Sequence, residues 1–328
     1  MKIKVILTGG TIGSALSGGV LSPVASPAAK LENAYRKTGG SAEFEFCSPF
    51  TVLSENLCAE NLNMLIESVL SAYNDGYNKI IVCHGTDTLQ YSAAAVMYAL
   101  AGMPCTAVFV SAAKPLDDEN TNGFANFCAA AAFLEQCNVQ GVFAAYANCE
   151  ESAKILPASH LALFAEDSDF LRCVNGEFAA VYSEGKLIEN TNYIYPESIN
   201  TGIEVHFNDC SGIEVISAVP GREYGRCAAD TRAVILRPYH SGTLNTANRD
   251  FADFCRDASD RNIPVFAVNI RQGAQYESSL EFKKLGITPL VGAAFAATYI
   301  KAWLAYDKKG NELRKFMSKS FFGEVIDK

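Results

Sequence analysis

Histidine is scarce in this chain: His84, His160, His206 and His240 are the four among 328 residues, and no two are four places apart. No cysteine and histidine group has zinc spacing either, so the residues call for no metal and no other cofactor. The eleven cysteines, an odd number spread from Cys47 to Cys255, contain no C-x-x-C pair. Cys83, Cys128 and Cys137 fall inside strand or helix patterns, where a free thiol behaves as a small hydrophobe. That usage points to a reducing, cytoplasmic setting. No run approaches the ~20 apolar residues that span a bilayer, so no membrane partner is expected. The opening MKIKVIL lacks a small-residue cleavage site and reads as a first strand. Basic charge is in deficit, with 27 basic against 36 acidic side chains and a net charge of -9. Such a chain has no electrostatic footprint for a phosphate backbone, which argues against nucleic acid as a partner.

Three motifs are absent as well. A phosphate loop needs G-x-x-x-x-G-K-[ST] and a dinucleotide turn needs G-x-G-x-x-G. The first glycine-rich turn offers Gly9, Gly10 and Gly13, spaced for neither. The stretch after it, SALSGGVLSP, reads as a flexible loop and not as a helix aimed at a phosphate. G-x-S-x-G is missing, which excludes a nucleophile elbow of the α/β-hydrolase type.

What is present is a chain with 49% apolar residues, longer than the ~250–300 at which a single core usually splits. Strand and helix patterns alternate in the first half. Lys2–Leu7, Lys79–Cys83, Thr106–Ser111 and Val139–Tyr146 read as strands. Leu57–Tyr73, Leu89–Leu100 and Asn122–Cys137 carry helical spacing. Strands separated by such helices imply βαβ units and a parallel sheet buried on both faces. The expected fold is therefore α/β: a larger N-terminal catalytic domain over 1–184, with a mainly parallel sheet flanked by helices, then a linker over the polar stretch 185–209. A smaller C-terminal α/β domain over 210–328 follows, with strands in GIEVISAVPG, RAVILRPY and PVFAVNI and helices near Ala247–Ala258 and in VGAAFAATYIKAWLAY.

Two turns stand out because each follows a predicted parallel strand: TGGT (Thr8–Thr11) and HGTDT (His84–Thr88). Ligands of open α/β sheets bind beyond the carboxyl ends of strands, where both turns would lie. TDT also has the composition of a helix N-cap, and capping alone is an equally good account of it. Capping does not explain the preceding glycine or the second hydroxyl-bearing glycine turn. A threonine hydroxyl becomes a nucleophile once a base takes its proton, and with histidine scarce a neutral lysine is the natural candidate. Glycines beside it let backbone N–H groups approach a developing oxyanion. Thr, Thr, Asp and Lys in a Gly-lined pocket suit acyl transfer from an amide.

ILTGGTIGS and VCHGTDTLQYSAAA resemble the two signature motifs of the bacterial-type L-asparaginase/glutaminase family. LSENLCAE resembles its substrate-binding segment, SAAKPLDDENTNGFANF the stretch after the next strand, and RAVILRPYHSGT the first strand and loop of its C-terminal domain. The likeness runs over nearly the whole chain and favours the cytoplasmic type I branch. It implies Thr11 as nucleophile and Thr86, Asp87 and a lysine as a second triad. Ser54 and Glu55 would hold the α-amino and α-carboxyl groups of a small amino-acid amide, with Gly10 and Gly85 lining the pocket. The implied reaction is attack on the side-chain amide of L-asparagine, release of ammonia, then attack by water, with minor glutaminase activity alongside. A homodimer or dimer of dimers is implied too.

The sequence departs from the family at two points. The loop tyrosine that helps activate the first threonine is matched here by Val20. The lysine offered by ESAKILPASHLALF is Lys154, about one residue out of register, with Lys114 as a second candidate. These departures motivate an alternative, a protein of this fold that binds an amino acid with little turnover. A further alternative is the amidase-like subunit of a tRNA-dependent amidotransferase.

Overall fold

The computed structural model describes residues 1–17, 20–23, 27–165, 167–273 and 276–326, and of 14–17 and 20–23 the backbone alone. The chain divides into two compact units, Met1–Thr201 and Gly202–Lys328.

The first unit is built on eight strands: β1 (Lys2–Leu7), β4 (Glu43–Cys47), β5 (Lys79–Cys83), β6 (Thr106–Val110), β7 (Gly141–Tyr146), β8 (Ala153–Pro157), β9 (Ala180–Ser183) and β10 (Lys186–Glu189). They form one sheet in the order β10-β9-β8-β7-β6-β5-β1-β4. From β4 to β7 the neighbours run parallel, and β7 to β10 are antiparallel. The β-branched and apolar run KIKVIL makes β1 a strand buried on both faces, as parallel strands must be. Helices α1 (Ala28–Lys37) and α4 (Gly123–Gln136) pack together on one face, and α2 (Ala59–Asn74) and α3 (Leu89–Ala99) pack together on the other. The middle of α4 is Ala129–Ala132, all buried, and α3 buries Ala93–Ala95 in the same way. Their small side chains let both helices lie close on the sheet, with Phe127 and Phe133 filling the space between layers.

Register decides where the functional turns fall. Leu7 lies beside Cys83, and Cys83 beside Val110, so three strands end at one level. The chain then leaves β1 as Thr8, β5 as His84 and β6 as Ser111, side by side at the carboxyl edge.

Two expectations are corrected. SALSGGVLSP is not a plain loop: β2 (Ser14–Ser17) and β3 (Val20–Pro23) pair antiparallel, Ser17 opposite Val20. The stretch 185–209, read as a linker, opens with β10, which pairs antiparallel with β9, and the first unit continues to Thr201. Leu187 packs on the core while Ile188 faces outward, the alternation of a strand covered on one side.

The second unit has four parallel strands in sequential order, β11 (Ile213–Ser217), β12 (Ala233–Arg237), β13 (Val265–Ile270) and β14 (Ile287–Val291). Helix α5 (Arg249–Asp260) begins at Asn248, whose side-chain oxygen accepts from the Asp250 and Phe251 amides at 2.8 and 3.2 Å. It buries Phe251, Phe254 and Ala258 against the sheet. The short α6 (Glu277–Leu280) precedes β14. Helices α7 (Phe295–Leu304) and α8 (Gly310–Ser318) complete the unit. A buried ion pair joins Lys301 of α7 to Glu324 at 2.8 Å.

Candidate active site

The two glycine turns meet backbone to backbone. A Cβ placed on Gly10 would lie 2.3 Å from the Gly85 Cα and 2.4 Å from its nitrogen. One placed on Gly85 would lie 2.5 Å from the Ser54 Cβ, and one on Gly9 would lie 2.5 Å from the Val52 carbonyl oxygen. Three chain segments therefore converge at van der Waals distance, and no side chain fits between them. Gly9 and Gly10 also adopt φ of 102° and 74°, which glycine alone holds without strain. The Thr8 N–H and hydroxyl both donate to the Cys83 carbonyl at 3.0 Å. The Val52 N–H donates to the Thr8 carbonyl at 3.1 Å, and the Gly10 N–H donates to the Val52 carbonyl at 3.3 Å.

Thr11 and Thr86 each stand one residue from this contact, both partly accessible. Among the described residues neither hydroxyl has a hydrogen-bond partner, and neither does the Thr86 N–H. Two hydroxyls and an amide donor without a partner among the described residues thus stand next to the junction. Ser54 is buried in the short turn Ser54–Asn56 and donates its hydroxyl to the Asp87 carboxylate at 2.9 Å. The Thr88 hydroxyl donates to the Ser54 carbonyl at 3.0 Å. These bonds dispose of the capping account of TDT. No side chain caps α3; Asp87 and Thr88 instead tie its start to the Ser54 turn. Glu55 is exposed next to Ser54.

The lysine candidates lie elsewhere. Lys154 is on β8 opposite Tyr146 of β7, three strand spacings from β5, or about 14 Å at the usual interstrand distance. Its ammonium is held by the Glu151 carboxylate at 2.7 Å, and that bond keeps the Glu151 carboxyl below its ordinary range. Register explains the placement, because a shift of one residue turns a strand side chain to the other face. Ile155, the next residue, faces the α4 core with no exposure. Lys114 is exposed, 3.7 Å from Asp118. The segments Thr8–Gly13, Thr51–Asn56 and His84–Gln90 carry no lysine or arginine. The backbone of Val20 lies in β3, and its side chain lies outside the described residues.

Asn122 and Asn126, both in the stretch SAAKPLDDENTNGFANF, are brackets. Asn122 accepts from the Ala113 amide and donates to the Ala147 carbonyl, both at 2.8 Å. Asn126 donates to the Ser111 carbonyl at 2.8 Å and accepts from the Ala147 amide at 2.7 Å. Together they lock the chain leaving β6 to the chain leaving β7. Two features escaped sequence reasoning. Asp169 remains solvent-accessible, but burial first and the Asp87 charge second raise its carboxyl above the ordinary range. As one of two aspartates in AEDSDFL, it gives no signal of that proximity in the sequence. His84 was visible as a residue of HGTDT but not its burial at the junction, which pushes its imidazole down to about 4.

A mainly parallel α/β sheet with two converging glycine–threonine turns at its carboxyl edge defines a class, amidohydrolases of the asparaginase fold. Residues 2–162 match the family model "Asparaginase, N-terminal". The chain is 22% identical to the L-asparaginase of Thermococcus kodakarensis, with 99% of each chain covered. The solved structure of the T. kodakarensis enzyme superposes with a TM-score of 0.82 at 21% identity over 100% of both chains. L-asparaginase I of Vibrio cholerae gives a TM-score of 0.81 at 18% identity, with 99% of each chain covered. At these identities the superpositions speak for the fold alone. A glutamyl-tRNA(Gln) amidotransferase component of Methanobrevibacter smithii is 25% identical, over 100% of this chain and 77% of its own length. Among the described residues no helix is long and apolar enough to cross a membrane.

Proposed function

We propose that the protein deamidates L-asparagine to L-aspartate and ammonia through a threonine nucleophile. The observation that supports this reading is the Gly10–Gly85 contact, since Thr11 and Thr86 are the residues that follow these two glycines, together with the Ser54 hydroxyl bond to the Asp87 carboxylate. The Thr11 hydroxyl attacks the side-chain amide carbon, its proton passes to a base, and the oxyanion accepts a hydrogen bond from a free backbone N–H. Collapse, with that proton passed from the base to the departing nitrogen, expels ammonia and leaves an ester on Thr11, which water cleaves to L-aspartate and free threonine hydroxyl. Ser54 and Glu55, next to one another in the turn that meets Gly85, are suited to the charged end of the amino acid. Lys154, the base suggested by the sequence, is paired with Glu151 on β8, three strands away from β5. Asp87 is the carboxylate adjoining Thr86, and we assign it the proton-accepting part. A soluble homo-oligomer in the cytoplasm is part of the same proposal, and the eleven free thiols support the reducing location.

Ammonia release from L-asparagine by the purified protein, beside Thr11→Ala and Thr86→Ala, tests this. Each variant is expected to lose at least about a hundredfold in kcat. Equal rates in all three proteins would overturn the reading. The same assay with L-glutamine reports selectivity; one methylene is worth about 1–3 kcal/mol in a pocket. The likeness to the amidotransferase component supports a second reading, in which the chain supplies ammonia to a partner. That reading predicts no release from free L-asparagine by the protein alone.

A further inference from the structure

Gly85 is confined to glycine for space, and glycine is the residue with the most backbone freedom. Something has to hold its peptide plane if the neighbouring Thr86 is to stay in one place. The imidazole of His84 is 2% exposed, tilted against Phe109, with ring centroids 6.0 Å apart. Its Nδ1 lies 2.9 Å from the Gly85 carbonyl oxygen and its Nε2 lies 2.9 Å from the Ser92 hydroxyl. A carbonyl can only accept, so Nδ1 carries the proton; Nε2 then has a lone pair, and Ser92 donates to it. Ser92 is fully buried on α3, and its hydroxyl complements the tautomer that the Gly85 carbonyl selects. The backbone of His84 is pinned as well, its N–H donating to the Val110 carbonyl at 2.9 Å.

The Gly85 carbonyl and the Thr86 N–H belong to one planar trans peptide and point opposite ways. Holding the carbonyl on His84 therefore aims the Thr86 N–H away from it. Among the described residues that N–H has no acceptor. From this we infer that His84 is a positioning residue: through the Ser92–His84–Gly85 chain it sets the direction of the Thr86 N–H, which donates to the oxyanion formed on the substrate amide. The inference rests on the amidohydrolase reading and adds to it a residue that touches neither substrate nor nucleophile. Histidine here is a rigid spacer between a helix hydroxyl and a backbone carbonyl, not an acid or a base.

The test compares His84→Asn, whose amide nitrogen falls near the place of Nδ1, with His84→Gln, whose amide nitrogen falls near that of Nε2. Both lose the ring and its packing, so both are expected to lose similar amounts of thermal stability. In ammonia release from L-asparagine, His84→Gln is expected to lose about a hundredfold in kcat with KM within about threefold, because a displaced donor acts on the transition state. His84→Asn should restore kcat to within about tenfold of wild type. Equal kcat losses in the two variants would reduce His84 to a structural role and overturn the inference. Nitrogen NMR of the His84 ring in wild-type protein gives a readout independent of turnover. A proton on Nδ1 between about pH 6 and 8 is expected, and a proton on Nε2 overturns the inference. Should wild type release no ammonia, the amidohydrolase reading falls and the oxyanion role falls with it, while the ring tautomer still decides the Ser92–His84–Gly85 chain.

Discussion

Taking the protein from about pH 7 to about pH 4 charges His84 in the unfolded chain well before it charges in the fold. Burial lowers the imidazole from its ordinary 6.5 to about 4, partly opposed by the bond to the Gly85 carbonyl. Between those values the unfolded state binds the proton and the folded state does not, so stability rises with pH across the window and falls on acidification. At about 1.4 kcal/mol per pH unit, that gap is worth about 3 kcal/mol, lost progressively from about pH 6.5 and fully lost below about pH 4. A solvated histidine would contribute nothing over the same range. The assay is urea unfolding at half-unit pH steps on wild type and on His84→Asn, comparing the slope of stability against pH and not its absolute level. Groups common to both proteins cancel in the difference. Wild type should lose about 3 kcal/mol more than the variant between about pH 7 and 4. Parallel curves, within about 1 kcal/mol, would mean that the ring is solvated or charged in the fold and would refute the reasoning.

Gly10→Ala puts a Cβ 2.3 Å from a backbone atom at a φ of 74°, with no flexible side chain to yield. It should cost about 3 kcal/mol or more and abolish ammonia release, while Gly13→Ala, with nothing within 4 Å, should change stability by less than about 0.5 kcal/mol in the same unfolding assay. Burial opposes the charge on Glu324, but Lys301 and the Phe321 and Phe322 amides outweigh it and hold its carboxyl below the ordinary range. Glu324→Gln leaves the Lys301 ammonium, 1% exposed, without its counter-charge, and about 3–5 kcal/mol should be lost in urea unfolding; a loss under about 1 kcal/mol would contradict this. Lys154→Ala should retain ammonia release within about tenfold of wild type, since it severs a half-exposed pair with Glu151; a hundredfold loss would return the role of base to Lys154.

Much of the first unit was legible in the residues because its central strands and helices have unmixed periods. KIKVIL and KIIVC are short and apolar, and the alanine-rich α3 and α4 begin near where their patterns begin. The edge of the sheet was not. Leu187 and Ile188 sit in a polar, turn-rich stretch, and β10 exists because β9 offers it a partner, which local propensity does not encode. The pairing of Ser14–Ser17 with Val20–Pro23 was hidden for the same reason.

The site divides in a similar way. Which residues carry the chemistry is written locally, because TGGT and HGTDT each combine a glycine that clears space with a hydroxyl that uses it. The chain order of strands and helices was enough to send both turns to the carboxyl edge. Which groups meet there depends on distances between segments far apart in sequence. Ser54 reaches Asp87 across 33 positions, Val52 threads against Gly9, and His84 finds Ser92 through the packing of α3 on the sheet. Lys154 marks the boundary between the two kinds of information. Its presence near the expected place is a fact of sequence, but a one-residue change of register selects the face of a strand. Only the pairing of β7 with β8 could direct its ammonium to Glu151.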